Sequence, residues 1–124
     1  MKNTQSIILL ITISFFITFL LIRFVTYLQK IKILPNQHSR LHIHHYIIGI
    51  LLILITGFIS IIFDITDSKN SYAVILGIGA ALIIDESAML IYLKDVYWKK
   101  KGRLSIYLIV VFIMIFLTIT LLTN

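Results

Sequence analysis

Long, nearly unbroken runs of apolar residues dominate the chain. There are four of them, at about residues 7–27, 41–63, 71–93 and 104–122. A helix rises about 1.5 Å per residue, so roughly 20 apolar residues cross the ~30 Å hydrocarbon core of a bilayer. The runs lack the strict alternation of membrane β-strands and are too few to close a barrel. We therefore expect an all-α fold, with residues 1–124 forming one transmembrane domain of four helices.

Composition agrees with this prediction. Hydrophobic residues make up 60% of the 124 residues, well above the roughly 45–50% typical of soluble domains. The chain has no cysteine, so disulfides and thiolate chemistry are excluded, and a metal site would have to use histidines and carboxylates.

Positive charge is concentrated in two of the connecting segments. The net charge is +6, but nearly every base lies just beyond an apolar run, which indicates membrane topology rather than nucleic-acid binding. Arg23 near the end of span one is followed by Lys30, Lys32 and Arg40 before span two, and the bases between spans three and four are Lys94, Lys99, Lys100, Lys101 and Arg103. The positive-inside rule places both segments in the cytoplasm. We expect a multi-pass protein of the cell membrane with both termini outside, and Arg23 is expected to extend towards the interface.

Lys99, Lys100 and Lys101 form the densest group of bases. Such a group beside a span orients the protein and contacts anionic lipids more often than it binds a protein partner.

All four histidines lie at the start of the second span. If this segment is helical, His38, His42 and His45 fall within about 60° of one another, whereas His44 points elsewhere. If Ser39 instead caps the helix, only His42 and His45 keep this alignment. The same face continues through smaller or more polar residues and should turn towards other helices; these are Gly49, Leu52, Thr56 and Ser60.

Two adjacent acids, Asp85 and Glu86, lie inside the third span. An Asp at a helix centre costs about 2.5–3.5 kcal/mol on insertion scales, so an intramembrane acid is expected to be paired, protonated or functional. Asp85 belongs to a stripe of small residues at helical spacing, which predicts close packing; its other members are Ala73, Gly77, Ala81 and Ala88. For Asp85, structural pairing with His42, His45 or Arg40 is the simpler alternative.

The histidines and the acids are both predicted to lie in the cytoplasmic half of the bilayer. Asp85 should lie about 14 Å below the cytoplasmic boundary and His45 about 6 Å below it, so helix tilt and a bridging ion or water could join them. Imidazoles and carboxylates together are ligands of zinc and of similar divalent metals. The candidate ligands are His42, His45, Asp85 and His38, and Glu86 and Asp85 are the candidate catalytic residues, with Glu86 as a general base.

Residues 41–49 (LHIHHYIIG), 79–86 (GAALIIDE) and 95–98 (DVYW), with Gly102 and Arg103, resemble a family of small prokaryotic integral membrane proteins of unassigned activity. Ile84 here stands where that family has Leu. Residues 87–89 stand where bulkier aromatic side chains are expected. The resemblance implies the organisation of the spans and no reaction. Larger intramembrane hydrolases of the ceramidase and adiponectin-receptor type offer an analogy for a His/Asp zinc site, with seven spans and different spacing.

Three functions follow from these features. The first is a lipid-directed hydrolase with a His/carboxylate site in the cytoplasmic leaflet, binding a divalent metal such as zinc. The second is a non-enzymatic accessory, immunity or subunit protein that packs against another membrane protein, with its acids neutralised by internal pairing. The third is proton or ion translocation by a homo-oligomer, because four helices leave little room for a pore.

Overall fold

The computed structural model describes residues 2–33, 44–63, 66–92 and 99–122. Within these residues the chain is helical and contains no strand. The helices are α1 (Lys2–Lys30), α2 (His45–Ile62), α3 (Lys69–Asp85), α4 (Ser87–Tyr92) and α5 (Arg103–Leu122), with short 3₁₀ turns at Thr66–Ser68 and Lys100–Gly102. The prediction of an all-helical fold is confirmed.

Among the described residues, three helical segments are long and apolar enough to cross a membrane, namely Thr4–Lys30, His45–Ile62 and Lys100–Leu122. The remaining long helix, α3, has 17 residues, and at 1.5 Å per residue it is roughly 25 Å long. It lies at the centre of the molecule, where it packs against α1, α2 and α5. This central position explains its composition, because small residues let neighbouring backbones approach closely.

Contacts between the helices define their directions. Gly77 of α3 faces Ile11 of α1, and Asp85, two turns further along α3, faces Arg23, so α1 and α3 run in the same direction. Helix α2 runs in the opposite direction, since Tyr46 at its start contacts Glu86 while Ile53, further along, faces Gly79 of α3. Helix α5 also runs in the opposite direction, since Ser105 at its start contacts Ala88 while Ile109, further along, lies in the core with Ala81. The end of α1, the start of α2, the end of α3 and the start of α5 therefore meet at one end of the bundle.

The hydrophobic core lies where α1, α3 and α5 meet. Phe15, Ala81 and Ile109 are buried there, and the ring of Phe15 stacks on Phe112 with centroids 4.3 Å apart. Most other large apolar side chains of α1, α2 and α5 face outward. An outward apolar surface is expected of helices surrounded by lipid, where burial supplies little drive for association.

Helix α2 packs on α3 through two glycines. A Cβ added to Gly49 would lie 2.6 Å from the carbonyl oxygen of Gly79, and one added to Gly79 would lie 2.9 Å from Cγ1 of Ile53. The backbones of α2 and α3 can approach this closely only because neither Gly49 nor Gly79 has a side chain. Of the face predicted for α2, Gly49 and Thr56 are buried, whereas Ser60, near the far end, is exposed.

The small-residue stripe predicted for the third span is buried as expected. Ala73, Gly77, Ala81 and Asp85 are buried in α3, and Ala88 is buried in α4. A Cβ on Gly77 would collide with the side chain of Ser14 and lie 2.5 Å from the carbonyl oxygen of Ile11. Glycine at this position therefore sets the distance between α1 and α3.

The helix predicted across residues 71–93 is divided in two. Helix α3 ends at Asp85, Glu86 has φ −100° and ψ 8°, and α4 begins at Ser87. The Ser87 hydroxyl donates to the carbonyl oxygen of Ile84 at 2.7 Å, and such local bonds compete with the regular helical pattern. The break coincides with the two acids and gives their carboxylates different surroundings.

Candidate functional site

Asp85 is fully buried and forms an ion pair with α1. Its side chain has no exposed surface, and its Oδ1 lies 2.7 Å from Nε of Arg23. The Arg23 guanidinium also lies 5.3 Å from the ring centroid of Phe19, within reach of a cation–π interaction. A charge buried in an apolar medium is tolerated when it is paired, so Asp85 and Arg23 each stabilise the buried charge of the other.

The prediction that Arg23 extends to the interface is therefore wrong. Its side chain is only 19% exposed and turns inward because α1 and α3 run in the same direction and place it level with Asp85. The sequence predicts His42, His45 or Arg40 as the partner of Asp85, and the structure shows Arg23. Of those partners, His45 contacts Glu86 instead, and His42 and Arg40 lie outside the described residues.

The neighbouring acid, Glu86, binds the start of α2. Its Oε2 accepts a hydrogen bond from the backbone N–H of Tyr46 at 3.0 Å. The first turn of a helix has N–H groups without intrahelical partners, and a carboxylate there is also favoured by the helix dipole. The residue at the usual capping position, His44, makes no side-chain cap. Glu86 supplies this cap from another helix.

Two histidines face the other oxygen of Glu86. Nδ1 of His44 and Nδ1 of His45 each lie 3.5 Å from Oε1 of Glu86, at the upper limit of hydrogen-bond geometry. Both imidazoles are partly exposed, at 35% and 45%, whereas Glu86 is buried. The arrangement places an acid inside the bundle next to two titratable groups at its surface.

The prediction that His44 points away from His45 is wrong, because both imidazoles face Glu86. It assumed a helix from about Leu41, but His44 has an extended backbone, with φ −67° and ψ 139°. The 100° rotation per residue therefore does not separate His44 from His45. The other two histidines, His38 and His42, lie outside the described residues.

A serine from α5 completes the site at the helix break. The hydroxyl of Ser105 accepts a hydrogen bond from the backbone N–H of Ala88 at 3.1 Å and lies 3.2 Å from the Ser87 hydroxyl. It thereby satisfies an N–H in the first turn of α4, which cannot bond to water when buried. The junction between α3 and α4 is thus held by residues from α1, α2 and α5.

The site brings together some of the predicted residues and not others. Glu86 and His45 are adjacent, while Asp85 is engaged by Arg23. Within the part of the chain that the structure describes, no group of three or more His, Asp or Glu side chains could hold a metal ion. The described residues give no support to a zinc site, and the predicted ligands His38 and His42 are not among them.

Sequence reasoning missed three groups at this site: Arg23, Ser105 and the N–H of Tyr46. Arg23 had a signal, because it is the basic residue nearest the middle of the first apolar run. Ser105 gave a weaker signal, as a hydroxyl residue near the start of the last apolar run. The backbone N–H of Tyr46 gives no signal in the sequence.

No known protein family, curated protein or solved structure matches the chain. Membership of the prokaryotic family that the sequence resembles therefore stays a prediction, and any function has to be argued from the site itself.

Proposed function

We propose that the chain is a multi-pass protein of the cell membrane with four spans and both termini outside. Three helices with the required length and hydropathy support this, as does the position of α3 between them. The bases Lys30, Lys32, Lys99, Lys100 and Lys101 lie at the end where α1 finishes and α5 begins. That end would face the cytoplasm under the positive-inside rule.

Reporter fusions test this topology. A phosphatase that folds only outside the cytoplasm should be active when fused after Asn124 and inactive when fused after Lys101. A reporter active only in the cytoplasm should give the opposite pattern. Cytoplasmic activity of the fusion after Asn124 would overturn the proposed orientation.

Within this topology, the chain acts as a non-enzymatic subunit or accessory protein that packs against another membrane protein. One observation carries the proposal: both intramembrane carboxylates are bound by groups of the same chain. Asp85 is bound by Arg23 and Glu86 by the N–H of Tyr46. A carboxylate that acts on a substrate must present an oxygen to it, whereas these two connect α3 to α1 and α2.

The isosteric variant Glu86→Gln distinguishes this role from catalysis. Gln keeps an oxygen that can accept from the Tyr46 N–H, but it removes the negative charge and the base. We expect wild type, extracted from its native membranes in mild detergent, to migrate on native gels as a complex larger than the monomer. Glu86→Gln should do the same, and Glu86→Ala, which removes the cap, should lose the complex. Wild type that migrates as a monomer would refute the subunit role.

A lipid-directed hydrolase is the second candidate, with Glu86 as general base. The observation in its favour is the contact of Glu86 with His44 and His45, whose partly exposed rings could exchange protons with water. Purified protein would then cleave lipids of mixed vesicles, detected by mass spectrometry of the products, and Glu86→Gln would abolish the reaction while the protein stays folded. Metal analysis of wild type against His42→Ala/His45→Ala shows whether a metal takes part.

A further inference from the structure

Four cations crowd the start of α5. Lys99, Lys100, Lys101 and Arg103, here called the basic patch, are all exposed. The 3₁₀ turn Lys100–Gly102 packs the buried Gly102 inward, so the basic side chains around it point outward together. Like charges this close repel one another unless an anion lies between them.

The described acids do not neutralise the basic patch. Asp85 and Glu86 are buried and bound to Arg23 and to α2. Asp67 lies in the turn before α3, at the opposite end of the bundle. Among the described residues no ion pair involves the basic patch. The basic patch is thus without a neutralising acid among the residues that the structure describes.

Apolar surface adjoins the basic patch directly. The ammonium of Lys101 lies 5.0 Å from the ring centroid of Tyr92, at the end of α4. Next to it, Ile91 is 60% exposed, and on the first turns of α5 Ile106 and Tyr107 are 45% and 63% exposed. The basic side chains are therefore placed to contact the phosphate of a lipid, and the adjacent apolar surface to contact its acyl chains. A soluble anion would contact only the basic side chains.

We infer that the basic patch, with the apolar surface of Ile91, Tyr92 and Tyr107 beside it, is a binding site for the headgroup of an anionic phospholipid. Each lysine near an anionic membrane surface contributes about 1 kcal/mol, which corresponds to roughly a five-fold change in affinity. The inference rests on the membrane placement proposed above and is independent of whether the protein is an enzyme or a subunit.

Native mass spectrometry of the detergent-solubilised protein tests the site, because in a micelle the orientation of the protein has no effect. Titration with dioleoyl phosphatidylglycerol should show a bound lipid at concentrations where phosphatidylcholine does not bind. Lys100→Gln/Lys101→Gln should weaken binding by roughly 25-fold at most, and Lys100→Arg/Lys101→Arg should restore it. Lys69→Gln, which neutralises an exposed lysine in the first turn of α3, should leave binding unchanged.

Three results would overturn the inference. Equal binding of the two lipids would show that the headgroup charge is not recognised. An equal loss in Lys69→Gln would show a general effect of net charge. Complete displacement of phosphatidylglycerol by millimolar glycerol phosphate would identify a soluble phosphate as the ligand. A topology reversed in the reporter assay would leave the detergent titration unchanged, so the two proposals fail separately.

Discussion

The ion pair between Arg23 and Asp85 should be the strongest single polar interaction in the bundle. Asp85 is completely buried, so Arg23→Gln would leave an acid without a counter-charge, and Asp85→Asn would leave an uncompensated guanidinium. Removal of one partner of a buried pair typically costs about 3–5 kcal/mol. Because Arg23 keeps 19% exposure, some water reaches its charge, and we expect about 3 kcal/mol for each variant.

The double variant Arg23→Gln/Asp85→Asn carries no buried charge and leaves two amides that can bond to each other. It should lie within about 1 kcal/mol of wild type, because replacement of a whole buried pair is often nearly neutral. The coupling energy of the cycle should therefore be large. Unfolding in mixed micelles of increasing SDS content, followed by circular dichroism, measures all four proteins. Asp67→Asn, at an exposed acid, is the matched control.

Two results of this cycle would refute the reasoning. Single variants within about 0.5 kcal/mol of wild type would show that the pair contributes little, as exposed pairs do. A double variant whose loss equals the sum of the single losses would show that the two residues act independently.

Two further predictions concern packing and capping. Gly49→Ala should destabilise the protein by about 1–3 kcal/mol, since its Cβ would collide with the carbonyl oxygen of Gly79. Gly57 has open space around it, so Gly57→Ala should be neutral or stabilising by up to about 1 kcal/mol. The same SDS titration checks both, and equal effects would contradict the close approach. Ser105→Ala should cost about 1–2 kcal/mol by leaving the buried N–H of Ala88 without its acceptor; it should also speed amide exchange there, and an unchanged exchange rate would exclude the cap.

The helices could be predicted from the sequence because apolar run length and small-residue spacing are local properties. The buried stripe through Gly77 and Ala81 and the buried positions Gly49 and Thr56 follow from helical periodicity alone. The depth estimates, about 6 Å for His45 and about 14 Å for Asp85, predict only that the histidines and the acids share one half of the bundle. The direct contact of Glu86 with His45 does not follow from them.

Other features depend on more than one helix at once. Which acid meets which base is decided by the register of α1 against α3, which places Arg23 level with Asp85. At the break near Glu86, a hydroxyl from α5 accepts from the freed N–H of Ala88, and an N–H from α2 binds the Glu86 carboxylate. A sequence pattern within a single span contains neither piece of information.

The pairing of Arg23 with Asp85 also has a consequence for biogenesis. In the topology proposed above, α1 leaves the ribosome before α3, so for a time Arg23 would have no counter-charge and would reside at the headgroup region or in the translocon. Arrival of α3 would then draw α1 deeper into the bilayer as the pair forms. Insertion of α1 to its final depth would then be completed only after α3 has been synthesised.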